Sequence, residues 1–179
     1  GGVGFVWACG MGGGRERALA DEGCLRRVNA DLANDLGNPV SRVAALCRQS
    51  FGGKPGEICD DNEVLTAFTA AQAEWRGAMR ECQFNRALEA VWKLLAAING
   101  YVVSRDPWKI LKEEGAGAPR LHRWLYAAAE GTRLAAVMLS PFVPSTSRAI
   151  FRTFGLPAED PTDADLSWAG FGGGDVPDL

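Results

Sequence analysis

Histidine is almost missing from this chain of 179 residues, with His122 the single example. Its scarcity excludes the relays in which an imidazole activates a serine or cysteine nucleophile, because His122 falls inside an expected helix and the sequence offers no Ser/His/Asp or Cys/His arrangement around it. Cysteine is present but scattered: Cys9, Cys24, Cys47, Cys59 and Cys82 follow no C-x-x-C spacing. An odd number of irregularly spaced thiols beside one imidazole makes neither a zinc set nor a disulfide framework. Reduced cysteines, several buried as small hydrophobes, are expected, and no metal ligands are nominated. No apolar run is long enough to span a bilayer, and the glycine-rich start lacks the charged and apolar segments of a secretory signal. A cytoplasmic address without a membrane partner follows by default. Strand-like alternation is also missing from the body of the chain.

What remains has the composition of an ordinary soluble protein, 47% hydrophobic and 23% charged, and a length that suits one well-buried domain. The net charge of −3 argues weakly against a polyanionic partner, but it is unevenly spread. Six acids follow Gly155 (Glu159, Asp160, Asp163, Asp165, Asp175 and Asp178) with no Lys or Arg among them. The other 16 acids face all 19 basic side chains in the preceding residues, so the body is mildly basic and permits RNA as a partner.

Residues 1–20 read as a glycine-rich segment, disordered or foreign to the domain, since seven of the first 14 are glycine. Gly10-Met-Gly-Gly-Gly14 lacks the Gly-Lys-Ser/Thr ending and flanking strand of a phosphate loop. Residues 21–156 carry helical periodicity. The first helix is expected from Asp21 to Gln49, ended by Phe51-Gly-Gly-Lys-Pro-Gly56. A second runs from Asp61 to Glu81 with Val64, Phe68, Ala71 and Trp75 inward, and a third from Phe84 to Ser104 with Phe84, Leu88, Val91, Trp92, Leu95, Ile98 and Val102 inward. A break at Arg105-Asp106-Pro107 starts a short fourth helix that Asp106 is expected to cap. After a loop at Gly115–Pro119, the fifth helix spans Arg120 to Leu139, apolar on the side of Leu121, Leu125, Ala128, Thr132, Ala135 and Leu139. Pro141 and Pro144 make a corner, Ser145 caps a last helix through Phe154, and Gly155 ends it. Residues 157–179 form an irregular acidic tail in which Trp168 is a packing anchor. The predicted class is all-α, an antiparallel helical bundle.

The first helix has two distinct sides. At about 100° per residue, Leu25, Val28, Leu32, Leu36, Val40, Val43, Leu46 and Cys47 share one arc, and Asp31, Asn34, Asp35, Asn38 and Arg42 lie opposite. Asn38 and Arg42, four residues apart, place an amide and a guanidinium one turn apart. Pro39 lies between them, where a proline inside a helix removes the hydrogen bond to the Asp35 carbonyl and favours a kink.

The run Asn29-Ala-Asp-Leu-Ala-Asn-Asp-Leu-Gly-Asn38 followed by Ser41-Arg42 resembles the first helix of the anticodon-binding domain of bacterial methionyl-tRNA synthetases. Phe84–Val102, Asp106-Pro107-Trp108-Lys109 and Leu139-Ser-Pro-Phe-Val-Pro144 are similar to later helices of that family, in the same order. The resemblance covers about residues 22 to 156. It implies that the chain recognises the CAU anticodon loop of tRNA(Met), with Asn38, Arg42, Pro107 and Trp108 as the anticodon-binding residues. Single-stranded RNA is read by stacking splayed bases on aromatic planes and hydrogen-bonding their Watson–Crick edges, which suits these side chains.

The sequence has neither a His-Ile-Gly-His type signature nor a Lys-Met-Ser-Lys-Ser type loop. No catalytic residue is therefore nominated, and ATP and Mg would belong to a synthetase catalytic domain that this chain lacks and would partner. DNA is not an expected partner. Two alternatives stay open: a non-catalytic helical scaffold that has lost tRNA reading, to which Pro39 and the unusual start point, and the equivalent domain of another class I synthetase such as the cysteine or valine enzyme.

Overall fold

The computed structural model describes residues 37–51, 62–156 and 161–168. Among the described residues six helices follow in order: α1 (Gly37–Phe51), α2 (Asn62–Arg80), α3 (Phe84–Arg105), α4 (Pro107–Glu114), α5 (Pro119–Leu139) and α6 (Pro144–Thr153), then a 3-10 turn at Asp163–Asp165. No strand occurs among the described residues, and the all-α bundle is the architecture found. Among the described residues no helix is long and apolar enough to cross a membrane.

Apolar residues at helical spacing decide which faces turn inward. In α1, Val40, Val43, Leu46 and Cys47 are buried as their arc predicts, and in α2 so are Val64, Phe68 and Ala71, with Trp75 half-buried. Leu88, Val91, Leu95, Ile98 and Val102 line the inner face of α3, while Phe84 and Trp92 sit partly exposed at its margin. Burial of the Cys47 thiol pushes its pKa up to about 12, so it behaves as a small hydrophobe. Residues 21–36 of the expected first helix lie outside the described residues, as do the side chains of Asn38 and Pro39.

The fifth helix differs from expectation. Instead of one apolar side, every residue from Leu125 to Leu139 is buried, including Glu130, Thr132 and Arg133. Helix α5 is the axis of the bundle and touches each of the other five helices. Ala127, Ala128, Ala129, Ala135 and Ala136 keep it slim enough for that enclosure. Gly131 marks a close crossing: a Cβ there would lie 2.8 Å from Val64 Cγ1 and 3.0 Å from Ile98 Cδ1. A valine in a helix has one strongly preferred rotamer and cannot swing aside. Gly131→Ala should therefore destabilise the fold by about 1–3 kcal/mol through overpacking, despite alanine's better helix propensity. Chemical denaturation measures it, and a stabilised variant would show that α5 is less tightly enclosed.

Helix ends account for the turns. Gly155, at φ 69°, closes α6 with Leu156 N–H donating to the Phe151 carbonyl and Gly155 N–H to that of Arg152, a Schellman motif. Helix α2 ends in the same hydrogen-bond pattern, from Gln83 to Ala78 and from Cys82 to Met79, with exposed Cys82 in the left-handed position at φ 54°. Two expected caps are not made. Asp106 is itself left-handed (φ 43°, ψ 59°) and makes no side-chain cap bond to α4, because it must also end α3. Ser145 lies inside α6, since Pro144 occupies its first turn and Val143 precedes it.

The described part of the tail packs on the bundle. Arg133 donates to the Asp165 and Ser167 carbonyls at 2.9 and 2.7 Å, and Gln72 to the Leu166 carbonyl at 2.8 Å. Leu166 is buried, and Trp168 lies 6.4 Å from Phe68 between ring centroids, the anchoring expected of it. Asp165 accepts from the Thr162 N–H and hydroxyl, which with nearby Arg133 holds its carboxyl below the usual range.

Candidate nucleic-acid interface

Between α3 and α4 the chain turns on the single residue Asp106, whose short polar side chain tolerates the left-handed region better than most. Pro107 opens α4 with its φ fixed by its ring and is buried, as is Ile110 one turn on. With 107 and 110 facing inward, the intervening Trp108 and Lys109 face outward, and Lys112 lies one turn beyond Trp108. Trp108 is 41% exposed; the other described tryptophans, Trp75, Trp92, Trp124 and Trp168, are all half-buried. A large aromatic on a short helix that is pinned from below is a preformed stacking plane.

Helix α4 packs against α1 and α5. The inward arc of α1 leaves Arg42 exposed, so the guanidinium and the indole belong to two helices in direct contact. Lys109 and Lys112 are exposed and add positive charge to this end. Of the four residues expected to bind, Arg42 and Trp108 are exposed on adjoining helices, Pro107 is buried beneath the turn, and the Asn38 side chain lies outside the described residues.

A cluster behind the turn was not anticipated from the sequence. The Arg105 guanidinium carbon lies 5.1 Å from the centre of the Tyr101 ring and 5.6 Å from that of Trp124, and its Nη2 donates to Glu63 Oε2 on α2 at 2.8 Å. Arg120 covers Trp124 at 6.0 Å and pairs with Glu114. Two spacings carried this signal: Tyr101 and Arg105 are four residues apart, and so are Arg120 and Trp124, which stacks each pair on one helix face.

The family model for the anticodon binding domain of methionyl tRNA ligase matches residues 51–170. The chain belongs to that family. The matched span contains Pro107 and Trp108 and begins after Asn38 and Arg42. Relatives extend the likeness toward the start: the methionine–tRNA ligase of Oceanobacillus iheyensis is 34% identical over 170 residues, 92% of this chain and 24% of that protein. The enzyme of Streptomyces coelicolor is 35% identical over 148 residues, 79% of this chain and 28% of that one. Among solved structures, the apo form of the Mycobacterium tuberculosis methionyl-tRNA synthetase superposes with a TM-score of 0.71 at 30% identity, covering 82% of this chain and 31% of that chain. Its methionyl-adenylate complex gives 0.67 at 30% identity, over 88% and 31%. The chain thus spans about a quarter of the length of the curated relatives. The family is the methionine one, which sets aside the cysteine and valine enzymes.

Proposed function

We propose that this domain binds the anticodon loop of tRNA(Met) and reads its CAU sequence with Asn38, Arg42 and Trp108, Pro107 fixing the turn. The observation that carries this reading is the exposed Trp108 on a turn held from beneath, on a helix that packs against the one bearing exposed Arg42. An indole face stacks on any base, so it supplies affinity with little sequence preference. Arg42 supplies discrimination: its N–H groups can donate to the O2 and N3 acceptors of cytosine, whereas N3 of uracil carries a proton. Lys109 and Lys112 flank the indole at positions suited to backbone phosphates. On this reading the ATP- and Mg-dependent chemistry belongs to a synthetase catalytic domain, to which this domain presents the tRNA.

The test is a cycle between Arg42→Ala and replacement of the loop cytosine by uracil, at one fixed salt concentration. In the unaltered protein the base change should weaken binding by about 1–3 kcal/mol. In Arg42→Ala it should cost almost nothing, because the donor is already gone. Additive losses would place the cytosine contact elsewhere.

A further inference from the structure

Arg105, a cation three residues before Trp108, is the obvious candidate for another phosphate contact. Its surroundings argue otherwise. The guanidinium lies over two aromatic rings, Tyr101 on its own helix and Trp124 on α5, and donates to Glu63 on α2. Its Nε is buried with no hydrogen-bond acceptor among the described residues, as befits a group held by ring faces. A planar guanidinium can stack and donate at once, which a lysine ammonium cannot do. This one side chain therefore ties the end of α3 to α2 and α5. The next residue is the left-handed Asp106, the next the buried Pro107, and the next the exposed indole.

Between a half-buried anchor on one side and a buried one on the other, a strained single-residue turn keeps one geometry; with one anchor removed, Asp106 can relax toward commoner backbone angles and carry Trp108 with it. Pro107 and Ile110 hold the far side of the turn. Arg105 holds the near side.

We infer that Arg105 is a positioning residue that fixes the aim of Trp108 through its Tyr101–Trp124–Glu63 seat and does not contact RNA phosphate. The RNA consequence rests on the proposed role of Trp108; the mechanical one does not. Two variants separate a clamp from a phosphate contact. Arg105→Met keeps the apolar stem without charge, and Arg105→Lys keeps the charge without the planar fork. Relaxation of the 15N-labelled Trp108 indole, identified by its loss in Trp108→Phe, reports motion of the ring on the full chain.

Both variants should lower the indole order parameter, Arg105→Met more. Affinity for a CAU stem-loop should fall about fivefold in Arg105→Met, with the dependence of log K on log salt unchanged. That loss should vanish in a Trp108→Ala background. A salt slope reduced by about one would mark a phosphate contact and overturn the inference. So would an indole as ordered in both variants as in the parent. If the unaltered protein fails to bind the stem-loop, the anticodon reading falls, and the indole measurement alone decides the clamp.

Discussion

Arg133→Met should cost about 3–5 kcal/mol of stability, the largest effect expected of a single substitution in this domain. Glu130 is 0% and Arg133 4% exposed, and the two meet as a bidentate pair, Nε to Oε2 at 2.9 Å and Nη2 to Oε1 at 2.8 Å. The same guanidinium donates to the carbonyls of Asp165 and Ser167. Replacing it with a thioether leaves a carboxylate in the interior without its cation and two tail carbonyls without their donor. Breaking such a pair costs more than deleting it, because the surviving charge keeps its desolvation penalty. Glu130→Leu combined with Arg133→Met should therefore recover much of the loss in a urea titration. The tail amides near 165–167 should exchange faster in both variants, since Arg133 donates to the Asp165 and Ser167 carbonyls. A single variant within about 1 kcal/mol of the parent would contradict the assignment of Arg133 as the tail's buried anchor.

This pair also marks where the sequence stops being readable. The periodicities of α2 and α3 gave their inner faces nearly residue by residue, since both helices have one wet side. Helix α5 has none from Leu125 onward, so a reading with one apolar side did not include Glu130 and Arg133 in the core. Arg133 meets the carbonyls of a segment more than 30 residues later in the chain, and no local period encodes that contact. The caps failed for a related reason. Asp106 and Ser145 have the right chemistry for capping, yet Asp106 must close one helix while opening the next, and Pro144 already occupies the first turn of α6. Pro107 and Trp108 were legible as a helix start beside a turn, and the exposure of the indole agrees. The seat of Arg105 was only half legible, because its i,i+4 partner Tyr101 is in the local sequence and Trp124 and Glu63 are not.

Trp108→Ala should weaken binding of a CAU anticodon stem-loop by about 1–3 kcal/mol, a factor of roughly 5 to 150. Its effect on folding should be below about 1 kcal/mol, because the side chain is 41% exposed and surface substitutions rarely cost more. The two numbers pull apart only if the indole faces a ligand. A tryptophan that merely covered the end of the bundle would lose stability on truncation and leave RNA binding untouched.

The most direct measurement is the affinity of the unaltered domain and of Trp108→Ala for CAU and scrambled-loop stem-loops at one salt concentration, with a urea midpoint for each protein. The anticodon reading predicts tight, sequence-dependent binding by the unaltered domain, and a variant that loses affinity while keeping its midpoint. Equal binding of both loops, with Trp108→Ala losing its midpoint instead of its affinity, would contradict it and leave a helical scaffold that does not read tRNA.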